Sequence, residues 1–218
     1  MTRIYILCEG LTEEQFVRKI IAPHLLSRGV FATAIGLEGG FNYDRLKFNI
    51  HKTLNNDKDA FVSTFIDFYG LRGDYPGDAI KGKSVPPDQK VGTMEEAILI
   101  DIKTSPNLHN IKFIPYFQLH EFESLLFSDP EILEVGLSID QKLPKDCFVK
   151  IRRQFNSPEH INDSPQTAPS KRLKEIAPFY DKVADGPTLI EIMGLEKIRQ
   201  ECPLFNHWLE KLENLKGV

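Results

Sequence analysis

An uninterrupted apolar run, Ile4-Tyr5-Ile6-Leu7-Cys8, stops at Glu9 and Gly10 and gives way to Leu11-Thr12-Glu13-Glu14-Gln15. Apolar residues without alternation mark a strand buried on both faces, as in the middle of a parallel sheet. Gly10 permits a turn. Thr12 with Gln15 three residues on has the T-x-x-Q form of a capping box, so a helix is predicted to open there. Glu9 therefore falls at the carboxyl end of a central strand, and in open α/β sheets ligands bind in the crevice outside that edge.

The alternation of strand and helix patterns continues. Phe16, Val17, Ile20 and Ile21 share one face of a helix that meets Pro23, which predicts a kink or an early stop, and the helix ends before Gly29. Residues 30–35 read as a second strand, and residues 43–54, with Leu46, Ile50 and Leu54 in register, as a second helix. Residues 60–67 form the third strand, which ends on Asp67 and is followed by Phe68-Tyr69-Gly70. Residues 70–87 are rich in Gly, Pro, Asp and Lys and read as a long surface loop. Thr93 and Glu96 make a second capping box, predicting a helix that carries Met94, Ala97, Ile98 and Ile102. Residues 111–119 are a fourth strand that runs into His120-Glu121-Phe122-Glu123, with Pro115 placing it at an edge or at a bulge.

This order predicts an α/β fold of parallel βαβ units with right-handed crossovers: a mainly parallel four-stranded sheet flanked by helices. The α/β domain is expected over residues 1–130, with a helical C-terminal extension over 131–218 packed on it. Its helices are expected near residues 143–155 and 170–176, with a last pair around 189–198 and 205–212. Trp208, Phe205 and Leu209 are the core stripe of the final one.

With 218 residues, 41% of them hydrophobic, the chain has enough material for a core without disulfides. Three cysteines with no C-x-x-C pair fit a reducing compartment. The N-terminal apolar run is too short for a signal peptide, and nothing approaches the roughly 18 apolar residues of a membrane span, so a cytoplasmic location is expected. A net charge of -4 argues against a generic basic nucleic-acid binder. Gly77 to Ser84 matches the G-x-x-x-x-G-K-S pattern of a phosphate-binding loop. No strand precedes it and Pro86-Pro87 follows, so the match is read as incidental. Cys202 and His207 lack the two further ligands of a zinc site.

Three of the four strands end in carboxylates: Glu9, Asp67, and Glu121 with Glu123. Acids gathered at one sheet edge repel one another unless a cation compensates. Oxygen-only ligands suit Mg²⁺ or Mn²⁺, and two such ions can activate water and stabilise the leaving oxygen in phosphodiester hydrolysis. The competing reading has each acid capping a turn, a loop or a helix, with Glu121 or Glu123 at the start of a helix over residues 124–127. Lys171 and Arg172 are candidates for binding a scissile phosphate, or else lie on a solvated helix face with Lys174. Arg152 and Arg153, with Lys145, Lys150 and nearby Phe148 and Phe155, could track a nucleic-acid backbone or simply form a solvated helix surface. His120, beside the acids, is either a ligand or proton carrier or a hydrogen-bonded structural histidine.

Glu9-Gly10 followed by Thr12-Glu13-Glu14 resembles the E-G-x-T-E start of the Toprim nuclease domain of OLD-family proteins. The wider set Asp67-Phe68-Tyr69-Gly70, Gln118 to Glu123, Asn162-Asp163 and Thr167 to Leu173 resembles the bacterial domain-of-unknown-function 4276 family, a family with a Toprim-like fold whose members are often encoded beside an ABC-type or AAA-type ATPase. The resemblance covers nearly the whole chain. It implies a Toprim-like (Rossmann-like) fold and a Mg²⁺- or Mn²⁺-dependent nuclease acting on DNA or RNA, the effector of an ATPase-coupled anti-phage defence system. Position by position, Glu9 is implied as metal ligand or general base, Glu13 as a further acid, and Asp67 as the first acid of the Toprim D-x-D. Tyr69 stands where the second aspartate is usual, and Glu121 or Glu123 is then implied as its replacement. That departure sets a second reading beside the first, a catalytically incomplete regulatory or binding subunit of an ATPase complex. A third is a phosphotransferase or phosphatase acting on a small nucleotide.

Overall fold

The N-terminal apolar run forms β1 (Thr2–Cys8) and lies inside the sheet of the computed structural model, which describes residues 1–37, 42–70, 75–106, 112–139, 141–162 and 167–215. β1 pairs in parallel with β2 (Val30–Gly36), from Thr2↔Val30 to Cys8↔Gly36, and with β3 (Phe61–Asp67), from Ile4↔Phe61 to Cys8↔Phe65. β3 pairs in parallel with β4 (Phe113–Ile114), giving the order β2-β1-β3-β4, and β5 (Phe117–Gln118) also pairs β3. The fold is a mainly parallel sheet flanked by helices, an α/β Rossmann-like arrangement.

The expected fourth strand is split in two. Pro115 has no N–H to give the ladder, and the Thr64 side chain fills the gap. Its hydroxyl donates to Tyr116 O at 2.8 Å and accepts from Tyr116 N at 2.8 Å. A fully buried hydroxyl in an apolar strand is thereby satisfied on both counts.

Residues paired in a parallel ladder share a sheet face. Ile6, Cys8, Ala34 and Phe65 fall together on the side where Phe16 packs its ring 5.7 Å from Phe65. Phe16 closes α1 (Leu11–Phe16), a widened π turn spans Val17–Ile21, and α2 (Ala22–Leu26) follows with Pro23 in its first turn. The chain therefore passes Pro23 through the wider turn instead of stopping there. Gly29, at φ +80°, ends the segment.

Both expected capping boxes are replaced by other starts. α1 is capped by the extended backbone of Gly10, whose carbonyl accepts from Glu14 N, and Thr12 is buried inside the first turn. The helix expected at Thr93 opens earlier, as α4 (Pro87–Thr104), with Pro87 and Asp88 in the first turn where a missing N–H and a negative charge are favourable. Thr93 sits mid-helix and donates its hydroxyl to Gln89 O. α3 (Tyr43–Asn56) begins at Asn42, whose side chain accepts from Arg45 N. The loop before α4 contains a short 3-10 turn, Asp78–Gly82, entered through Gly77 at φ +81°, and among the described residues no strand leads directly into it. Residues 71–74 of that loop, with Ile111 and Asp163, lie outside the described residues.

The chain divides into two compact units, residues 1–117 with 210–218, and residues 118–209. In the first, Glu213 accepts from His24 and pairs with Arg28 at 3.3 Å, tying the C-terminal residues to the end of α2. The second is helical: α5 (Glu123–Leu126), α6 (Pro130–Leu137), α7 (Cys147–Arg152), α8 (Pro169–Ile176), α9 (Asp185–Met193), α10 (Leu195–Glu201) and the start of α11 (Pro203–Glu213). Gly194, at φ +82°, divides into α9 and α10 the stretch expected as one helix. Its core includes Phe127 edge-on to Phe148 and, as expected, Phe205 against Trp208. Among the described residues no helix is long and apolar enough to cross a membrane.

Glu95, on α4, accepts from Phe117 N at 3.1 Å, and burial lifts its pKa to about 7. The folded protein thus holds a proton there that the unfolded chain releases near pH 4.5, so this group's contribution to stability falls as pH rises from about 4.5 to 7. Glu95→Gln keeps an acceptor for Phe117 and is expected to be more stable than the parent at pH 8 by on the order of 1–3 kcal/mol, with the gain vanishing at pH 4.5. Urea unfolding at the two pH values measures it.

Candidate functional site

In the order β2-β1-β3-β4 the connection from β1 runs to one side and β3 lies on the other, so the strand order reverses between β1 and β3. Open α/β sheets bind ligands at the carboxyl edge beside such a reversal. Glu9 and Asp67 stand at its two sides. Glu9 N donates to Phe65 O at 3.3 Å as the last backbone bond between the strands, and Glu9 Oε2 then accepts from Asp67 N at 3.0 Å. The Glu9 side chain thus replaces the next rung of the ladder with a charge-assisted hydrogen bond.

Glycines give these carboxylates their room. A methyl group at Gly70 would lie 3.3 Å from both Glu9 Oε1 and Asp67 Cβ, a tight contact that would make the pair give by a few tenths of an ångström. At the neighbouring strand ends Glu13 Oε2 lies over Gly10 and Glu14 Oε2 over Gly36, where a methyl would come within 2.9 and 2.7 Å. Glu13 is buried, and Glu14 pairs with Arg18 at 2.6 Å. Burial, aided by Glu13 and Glu14, holds the Cys8 thiol well above its ordinary pKa.

Tyr75 joins this group. Its ring is buried, lies 5.4 Å from that of Tyr43, and its phenol is pushed above the ordinary range by burial and by the Glu9 carboxylate. At neutral pH it is a neutral hydroxyl close to Glu9. The surface loop expected over residues 70–87 does not foresee this buried ring. Tyr69 turns its ring edge-on to Phe68 at 4.9 Å and remains 44% exposed.

The structure brings Glu9 and Asp67 together, with Glu13 in the turn beside them. Two carboxylates with oxygen-only donors suit Mg²⁺ or Mn²⁺, since such ions are held by one or two carboxylates and take the rest of their shell from water and phosphate. Among the described residues no three or more His, Cys, Asp or Glu side chains converge as a preformed cage. Glu9 and Asp67 fit a site that substrate completes.

The other expected acids and bases belong to the second unit. Glu121 Oε2 accepts from Ser170 N at the start of α8, at 2.9 Å, and the buried Glu123 faces Lys182 Nζ at 3.4 Å. His120 is buried with Nδ1 3.2 Å from Asn162 Nδ2, and burial with nearby His160 lowers its pKa to about 4, so it is neutral at pH 7. Lys171 is exposed on α8. Arg172 donates to Thr167 O at 2.7 Å and lies over the Phe155 ring at 5.5 Å. Arg152 donates to Phe155 O and to Glu201 at 2.7 and 2.6 Å. Arg153 lines, with Asp129, Glu131, Lys197 and Arg152, a cavity of about 340 Å³.

The profile of the family described as "Domain of unknown function (DUF4276)" matches residues 8–213, and the chain belongs to that family. No curated protein and no solved structure matches it.

Glu9→Ala is expected to destabilise the fold by about 1–3 kcal/mol, because the Asp67 N–H loses its acceptor, while Glu9→Gln, which keeps a carbonyl there, changes stability by under about 1 kcal/mol. Urea denaturation of the two variants checks the difference.

Proposed function

We propose that this DUF4276-family chain is a Mg²⁺- or Mn²⁺-dependent phosphodiesterase of Toprim type that cuts DNA or RNA at the Glu9–Asp67 crevice. The observation that carries the reading is the Glu9 carboxylate seated on the backbone N–H of Asp67 at the point where the strand order reverses, with Gly70 close against both residues. Bound there, a divalent ion would polarise a phosphate and lower the pKa of a water. Glu9 and Asp67 would hold it. The Asp67 N–H fixes Oε2 of Glu9, and Oε1 lies on the Gly70 side. Tyr75, neutral beside Glu9, would supply a hydroxyl for a phosphate oxygen or an attacking water. On the second unit, Lys171, Arg172 and Arg153 would be the cations for a nucleic-acid backbone. With a net charge of -4, nucleic-acid affinity would come in part from a partner, an ABC-type or AAA-type ATPase in an anti-phage defence pair.

A specific observation favours a second reading, a regulatory or binding subunit that keeps the crevice without a complete acid set. Tyr69 occupies the second D-x-D position, and the described residues supply no third ligand to Glu9 and Asp67.

Glu9→Gln and Asp67→Asn should each weaken Mn²⁺ binding at least about tenfold, a loss of about 1.4 kcal/mol, and abolish metal-dependent nicking of plasmid or cleavage of single-stranded RNA. Gly70→Ala should weaken binding less. Calorimetric titration and a cleavage assay on the same samples separate the readings. Binding lost together with cleavage supports the enzyme, and binding with no cleavage of any nucleic acid, even with an ATPase partner present, supports the subunit. Mn²⁺ affinity unchanged in both variants would remove the site.

A further inference from the structure

β2 is an edge strand. Its residues 30–36 pair β1 along their full length, and among the described residues no strand pairs their other side. Edge strands are usually blunted by charge, proline or shortness, because a free edge is a template for another strand. Val30-Phe31-Ala32-Thr33-Ala34-Ile35-Gly36 has none of these devices, and Phe31 is 48% exposed.

We propose that a second copy of this chain occupies the β2 edge, the two β2 strands pairing antiparallel about Thr33. Three features of the strand select a second copy. The first is pattern: with Thr33 opposite itself, Ala32 faces Ala34, Phe31 faces Ile35 and Val30 faces Gly36, so no charges meet and all seven residues are used. The second is hydrogen-bond phase. Leu37 N donates to Cys8 O, and backbone direction alternates along a strand, so the N–H groups of Phe31, Thr33 and Ile35 face β1 while those of Ala32 and Ala34 face outward. Antiparallel pairing about Thr33 makes Ala32–Ala34 the hydrogen-bonded pairs, and leaves Phe31–Ile35 as the non-hydrogen-bonded kind in which side chains come closest.

The third is a receptor for the exposed ring. Phe31 and Ile35 share a sheet face, and Ile35 lines a cavity of about 180 Å³ with Tyr5, Asn49, Lys52, Thr53 and Asn56 of the same unit. A cavity of about 150 Å³ can accept benzene. The pairing sets the second copy's Phe31 opposite Ile35, at the wall of this cavity, and by symmetry the exchange is mutual. The proposal is independent of the metal site.

Sedimentation of the wild type at about 100 μM should give the mass of two chains, and Phe31→Asp, with an unchanged circular dichroism spectrum, should give the mass of one. Thr33→Cys should oxidise to a covalent dimer, since its own symmetry mate lies within about 4.5 Å between Cα atoms, inside disulfide range. The native cysteines are buried and do not compete. Phe31→Cys, about 13 Å from its mate at roughly 3.4 Å per residue, should not cross-link. A wild type that sediments as one chain, including one that gains mass only with a different protein, overturns the proposal. So does a dimer that survives Phe31→Asp and does not cross-link through Thr33→Cys.

Discussion

The hydrogen bond from Asp67 N to Glu9 Oε2 is where the strand ladder passes into the candidate site. β1 and β3 share backbone bonds as far as Phe65, and then part. A strand end inside a sheet presents a donor that an apolar side chain cannot satisfy, and an unsatisfied buried donor costs about 1–3 kcal/mol. The Glu9 carboxylate meets the need through Oε2, so the same residue closes the ladder and stands at the candidate site, with Gly70 against it.

The acids at the strand ends serve more than one purpose. In the second unit, Glu121 meets the Ser170 N–H at the start of α8, and the buried Glu159 accepts from Leu204 N and Phe205 N at the start of α11. Helix starts leave N–H groups that a carboxylate satisfies in both hydrogen-bonding and dipole terms. Capping is the competing reading of Glu9, Asp67, Glu121 and Glu123. Glu121 does meet a helix start, that of α8 and not that of the helix over residues 124–127, and Glu9 Oε2 takes the Asp67 N–H.

Much of the fold was legible because it rests on short-range pattern. Apolar runs mark β1 and β3, and Pro115 announces the broken fourth strand. The two Thr-based capping boxes were misread because cap motifs specify a local option, and packing decides between options. Burial drew Thr12 into the first turn, and Pro86-Pro87-Asp88 offered α4 an earlier start than Thr93. The meeting of Glu9 with Asp67 follows once β1 and β3 are neighbours, which βαβ topology makes expected. Tyr75 and Gly36 were not legible, since their relation to Glu9 and Glu14 depends on where loops and strand ends fall in three dimensions.

The most direct measurement is anomalous diffraction at the manganese edge from crystals soaked in Mn²⁺. The account predicts an anomalous peak at the carboxylates of Glu9 and Asp67, beside Gly70, that disappears in Glu9→Gln crystals. Manganese bound only elsewhere, or none bound in crystals whose crevice is open to solvent, would contradict it, and Glu9 would then be a strand-end cap alone.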